Sequence, residues 1–257
     1  MRRDLQTSVF VRSMLLQSCW NFSGMQNAGF LYALDPVLRR AYPDPAALRT
    51  AERRHLCFFN TNPYMAGFVL GAVGAMEERS AGLPAAERPA AELRIEAVKK
   101  MMASSVAALG DALFWGGLKP FCAVAAMLAW LVLWTLETPH ALAASAVLYL
   151  ALYNAPALWL RWRGIAMGYS LQENLPAGFK GLRLQDRTRW IRAAGAAAAV
   201  LLVAALILVP PFGGTLGWSG FVVFGTAFGL RAARQVSMLR LYAGLAALGL
   251  AAELAGF

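Results

Sequence analysis

Two almost uncharged apolar runs, Pro120–Leu136 and Ala141–Leu160, constrain this chain more than any other feature. Each is near the roughly 20 residues that an α-helix needs to cross a bilayer core. Backbone polar groups find no water there, so helices, which satisfy them internally, are the expected form. Between the runs, Glu137-Thr138-Pro139-His140 carries no Lys or Arg, whereas Arg161-Trp162-Arg163 follows the second run. That asymmetry places the hairpin loop outside and the arginines inside. Composition agrees. The chain is 59% hydrophobic and only 15% charged, where soluble domains are about a quarter charged.

The net charge of +10 is clustered, at Arg161 and Arg163, at Arg183, Arg187, Arg189 and Arg192, and at Arg231 and Arg234. Clusters at the ends of apolar segments follow the positive-inside pattern. Nucleic-acid binding needs a basic face on a soluble fold, and no such fold is evident, so no nucleic-acid partner is expected. Cys19, Cys57 and Cys122 have neither metal-ligand spacing nor an obvious disulfide framework. No cleavable signal peptide is expected, because Arg12 stops Val9-Phe10-Val11.

Along the chain, Leu5, Val9, Leu16 and Trp20 fall near one helical face, predicting an amphipathic interfacial helix. A short helix is predicted over about 46–55. Asn60-Thr61-Asn62-Pro63 reads as a turn opening a helix to about Met76, with Gly67, Gly71 and Gly74 suited to close helix contact. Residues 77–96 read as a surface loop leading into an amphipathic helix, their charges as a solvated face. The expected organisation is interfacial helices over 1–60, a membrane core over 61–169, a basic cytoplasmic linker over 170–192 and transmembrane helices over 193–257. The fold class is an all-α integral membrane protein with broken or re-entrant helices.

Asp111 is the conspicuous residue. It lies in Gly110-Asp111-Ala112-Leu113-Phe114-Trp115-Gly116-Gly117-Leu118-Lys119-Pro120, among the most apolar parts of the chain. Ionisable groups beside hydrocarbon are expensive and mark functional candidates. The flanking glycines allow close packing or a broken helix. Asp111 and Lys119 are eight residues apart, about two turns, so a direct pair needs a break. Trp115 is suited to stacking on a sugar or anchoring at an interface. Asn154-Ala155-Pro156 predicts a kink, either structural or lining a polar path. Catalytic motifs for hydrolases, kinases and dehydrogenases are absent, and the two histidines cannot build a metal site. Neither metal nor cofactor is expected. His55, beside Arg53 and Arg54, is expected to make an ordinary hydrogen bond at a helix surface or interface instead of accepting a phosphoryl group.

Together these segments resemble the IID membrane component of mannose-family sugar phosphotransferase systems. The resemblance rests on Leu16-Gln17-Ser18-Cys19-Trp20-Asn21-Phe22 and Met25-Gln26-Asn27, then Arg54-His55-Leu56, Phe58-Phe59-Asn60-Thr61 and Pro63-Tyr64. It continues through Ala75-Met76-Glu77-Glu78, Gly110-Asp111-Ala112-Leu113-Phe114-Trp115-Gly116 with Pro120, and Tyr153-Asn154-Ala155-Pro156 with Arg161-Trp162 and Gly168-Tyr169. It implies a multi-pass protein of the bacterial inner membrane, joined to a IIC subunit as a trimer of IIC–IID pairs and importing a hexose. The phosphoryl group comes from soluble IIA and IIB, so this chain needs no catalytic residue. Asp111, Trp115, Lys119 and Asn154 then line the sugar path or the IIC contact. Trp20, Asn21, Gln26, His55, Asn60, Pro63, Tyr64, Glu77, Gly110, Phe114, Gly116, Pro120, Pro156 and Arg161 are the motif residues expected to support it. The chain departs from the family pattern at Met102–Ala108, and with Cys57 for glutamate, Asn62 for histidine and Lys119 for arginine. A non-transporting regulator or scaffold derived from the family is the alternative.

Overall fold

A computed structural model describes residues 1–208. The helices expected beyond Leu208 lie outside the described residues. Helices α1 (Arg3–Ser13), α2 (Asn27–Ala41), α3 (Pro45–His55) and α4 (Ala66–Ala81) come first. Helix α5 (Arg88–Gly110) leads through a π-helix (Asp111–Leu118) into α6 (Lys119–Thr135). Helices α7 (Ala141–Leu171), α8 (Leu175–Leu182) and α9 (Leu184–Leu208) follow. No strand occurs among the described residues; two isolated bridges pair Met25 with Asn21 and Phe59. Residues 1–198 form one compact unit and residues from 199 belong to a second.

Helix α4 is the centre of the first unit. It is apolar on every side from Ala66 to Met76, as a fully enclosed helix must be. Phe68, Val69, Leu70, Ala72 and Val73 have no exposed surface; nor do Phe30, Leu34, Val37 and Leu38 of α2 or Ile165 of α7. The α4–α7 contact is backbone on backbone. A β-carbon on Gly67 would overlap the Arg161 carbonyl, one on Gly71 the Ile165 carbonyl, and one on Gly168 the Phe68 carbonyl. Elsewhere local signals suffice. Helix α3 starts where Asp44 Oδ2 accepts the Ala47 N–H at 2.8 Å and Pro45 supplies its fixed φ at the first position.

Among the described residues, three stretches are long and apolar enough to cross a membrane: Arg88–Thr135, Ala141–Asn174 and Leu184–Leu206. Met127, Val132, Leu142, Val147, Leu150 and Trp159 are at least half exposed on α6 and α7. In lipid, such faces need no protein cover. The first stretch is one continuous helix, and its glycine-flanked disruption takes the form of the π-helix.

The structure differs from several sequence expectations. The loop expected over 77–96 shrinks to residues 82–87, because α4 runs to Ala81 and α5 starts at Arg88. Glu77 is not on a solvated face; it is fully buried, as is His55, which the sequence placed at a surface or interface. The basic linker expected over 170–192 is built from the end of α7, α8 and the start of α9. Leu5, Val9 and Leu16, the expected interfacial face, pack into the protein core, and Phe10 meets Trp162 edge-on at 5.2 Å.

Candidate functional site

The π-helix brings the polar candidates to one edge. A π-helix is wider than an α-helix, and a short π segment within an α-helix frequently marks a functional site. Asp111, Trp115 and Lys119, four residues apart, are all exposed along it, while Leu113, Phe114, Gly117 and Leu118 are buried behind. Asp111 and Lys119 do not pair directly. The Lys119 ammonium lies 5.3 Å from the Trp115 ring centroid, within cation–π range. Asn62 Nδ2 donates to Asp111 Oδ1 at 2.9 Å, and Asn62 Oδ1 accepts the Tyr64 N–H at 3.1 Å. Asn62 is buried and packs so closely on Gly110 that a β-carbon there would overlap it.

Arg192 of α9 also bonds the π-helix, donating from Nε to the Gly116 carbonyl at 3.0 Å and from Nη2 to the Ala112 carbonyl at 3.2 Å. A β-carbon on Gly116 would sit 2.7 Å from Arg192 Nη2. The glycines flanking Asp111 are therefore explained by what touches them, Asn62 at one and Arg192 at the other.

Aromatic rings back this edge. Tyr64 lies 4.7 Å from Phe114, 5.6 Å from Trp115 and 5.6 Å from Tyr153. The Arg161 guanidinium is 5.8 Å from the Tyr64 ring. Arg161 is itself buried, donating from Nη1 to the Ser13 carbonyl at 2.7 Å, at the C-terminal end of α1, where a positive charge is favoured. An exposed carboxylate, an ammonium and an indole on an aromatic base together offer hydrogen bonds and a flat apolar face. Those are the elements that recognise a polyol.

A separate buried ionic network joins α3, α4 and α5. The Glu77 carboxylate accepts His55 Nε2 at 2.8 Å, Arg54 Nε at 3.1 Å, Arg54 Nη2 at 3.0 Å and Tyr42 OH at 2.8 Å. Arg54 also pairs with Glu92 at 3.0 Å. Burial pushes the Glu77 carboxyl up, but hydrogen bonds from His55 and Arg54, and the Arg54 charge, hold it well below the usual carboxylate range. Burial pushes the His55 imidazole down, outweighing its bond to Glu77. His55 is thus a neutral ring donating from Nε2, which leaves Nδ1 as a buried lone pair without a partner. Burial, then the Glu77 carboxylate, push the Tyr42 phenol up. Lys99 donates to the His55 carbonyl at 3.2 Å and lies 4.5 Å from the Phe30 ring centroid.

The other motif residues divide by place. Gln26 is buried, donating to the Thr61 carbonyl at 2.9 Å and accepting the Thr61 N–H at 3.0 Å, so it splices the loop before α2 to the strand-like 59–61 segment. Asn21 Oδ1 accepts the Gly24 N–H at 2.7 Å and shapes the same loop. Trp20 and Asn60 are exposed, and Pro63 is half-buried at the start of the turn. Pro120 is exposed at the start of α6. Asn154 and Pro156 are exposed on α7, and Asn154 Nδ2 donates at 2.8 Å to its own helix at Leu150; the structure does not bring Asn154 to Asp111. Sequence reasoning missed Tyr42, Glu92 and Lys99 as members of the buried network. It quoted Asn62 and Arg192 without assigning them to Asp111 and the π-helix.

This arrangement can be set beside known proteins. Residues 1–210 match the family described as PTS system mannose/fructose/sorbose family IID component. The chain belongs to this IID family. The mannose-specific EIID component of Escherichia coli (strain K12) is 38% identical over 182 residues, covering 70% of this chain and 60% of that protein. The chain thus spans about 60% of the length of this curated IID relative. Among solved structures, one described only as a membrane protein matches with a TM-score of 0.72 at 26% identity, covering 100% of this chain and 98% of the other. A chain of the mannose transporter ManYZ in complex with microcin E492 matches with a TM-score of 0.58 at 27% identity and the same coverage. The described residues of this IID family member form helices and no strand, with apolar helices of membrane-spanning length.

Proposed function

We propose that this IID protein works with a IIC subunit as a mannose-type permease in the bacterial inner membrane, importing a hexose that IIA and IIB phosphorylate. The observation that carries this reading is the polar edge of the π-helix, where Asp111, Trp115 and Lys119 project from one face, clamped by Asn62 and Arg192. On this reading Asp111 accepts hydroxyl hydrogens or a partner donor, Lys119 donates, and Trp115 offers its ring to the apolar face of a sugar or to a IIC helix. Arg161, Tyr64 and Phe114 brace the edge from behind, and Glu77 with His55 ties α3 to α4. The likeness to a chain of the ManYZ transporter supports a IIC partner. Assembly as a trimer of IIC–IID pairs, the outward hairpin at Glu137–His140 and the inward arginines belong to the same proposal.

The test is phosphorylation-coupled hexose uptake in membrane vesicles from cells lacking this chain. The expected result is loss of uptake, restored by re-expression. Unchanged uptake contradicts the proposal. Copurification with a IIC subunit that binds no sugar and supports no flux leaves the non-transporting scaffold as the better account.

A further inference from the structure

The start of α9 carries a second site, apart from the Asp111 edge. Two neighbouring cavities of about 670 and 330 Å³ share Leu109, Leu184 and Gln185 in their walls. Their lining is apolar at Leu109, Leu184 and Phe179. It is basic at Arg183 in the larger cavity and at Arg189 and Arg192 in the smaller. Asp186 also lines the larger cavity, 3.0 Å from Arg183 and 4.0 Å from Arg189. Three guanidinium groups against this carboxylate leave the walls at +2. Arg192 keeps its charge while Nε and Nη2 hold the π-helix carbonyls.

The placement along α9 decides what such a cavity suits. Arg192 is the last charged residue before an uncharged run from Ala193 to Leu208. Trp190, 77% exposed, lies two residues earlier on the same helix. A basic cavity at the polar end of an apolar span, on a helix that also carries an exposed indole, sits where lipid phosphates lie. We propose that it holds the headgroup of an anionic phospholipid. Its phosphodiester meets Arg183, Arg189 and Arg192, and its glycerol and first methylenes lie against Leu109, Leu184 and Phe179. An acidic soluble protein would match the arginines but leave the apolar wall unused. The bound lipid would seat α9 against the π-helix through Arg192, and this site does not depend on which sugar, if any, the protein carries.

The test uses the full chain in a zwitterionic detergent. Thermal unfolding is followed while dioctanoyl phosphatidylglycerol, dioctanoyl phosphatidylcholine or inorganic phosphate is titrated. Phosphatidylglycerol should raise the midpoint saturably, and the other two should not. Arg183→Gln with Arg189→Gln should weaken the apparent affinity about 30-fold, the order expected for removing two basic contacts. Arg183→Lys with Arg189→Lys should retain most of it, with unchanged far-UV circular dichroism in both variants as the check on folding. An equal shift with inorganic phosphate overturns the lipid assignment. So does an undiminished response in the Gln variant. The absence of any phosphatidylglycerol shift also overturns it, including where an acidic soluble partner binds these arginines instead.

Discussion

Replacing Glu77 by Gln tests the buried network most sharply. The substitution keeps the shape and one acceptor but removes the charge that faces Arg54, and the new amide directs an N–H at a donor. Glu77 has no exposed surface, and four hydrogen bonds converge on it from Tyr42, Arg54 and His55. Removing one partner of a buried ion pair is destabilising by about 3–5 kcal/mol, because the other charge stays behind. Arg54 retains Glu92 at 3.0 Å, so the lower end, about 3 kcal/mol, is expected. For a domain of this size that lowers the midpoint of thermal unfolding by roughly 6–12 °C. The assay is unfolding of the purified chain in detergent. Adding Arg54→Met should recover much of the loss, since apolar replacement of a whole buried pair is often near neutral. A drop under about 1 kcal/mol for Glu77→Gln, or no recovery in the double variant, refutes the reasoning.

Three further outcomes follow from the structure. The folded-state pKa of Glu77 is depressed, so its contribution is present above the ordinary carboxylate range and is lost as pH falls toward about 2. His55 is also depressed, so its unfolded form binds protons first and acid weakens the fold from about pH 6.5 downward. Unfolding midpoints should therefore fall on acidification below about pH 6.5 and fall less for His55→Gln; a flat profile from pH 7 to 4 contradicts this. Gly71→Ala should destabilise by about 3 kcal/mol or more through clash with the Ile165 backbone. Gly74→Ala should be nearly neutral, because its neighbours are the Val37 and Leu34 side chains at 3.4 Å and beyond.

The sequence revealed what local pattern and length determine. The hairpin at Glu137–His140 was legible because two apolar runs need only a turn between them. The start of α3 was legible within a residue from Asp44 and Pro45. The burial of Glu77 was not. In Glu77-Glu78-Arg79 it looks like a solvated face, and its partners lie 22 to 35 residues away. The glycines around Asp111 announced a disruption, but a π-helix depends on long-range contacts with Asn62, and with Arg192 some 80 residues on. Asn154, expected with Asp111 along the sugar path or the IIC contact, bonds within its own helix. A polar residue in an apolar run can be satisfied by its own helix, as Asn154 is by the Leu150 carbonyl.

The central claim concerns the Asp111 edge, and Asp111→Asn measured in the vesicle uptake assay tests it most directly. The substitution keeps an acceptor for Asn62 and removes the charge. With amounts of the chain and its copurifying IIC subunit matched to wild type, uptake should fall at least about tenfold, the factor for one lost charged hydrogen bond. Wild-type uptake by a stably assembled Asp111→Asn complex would show that the carboxylate serves the fold alone.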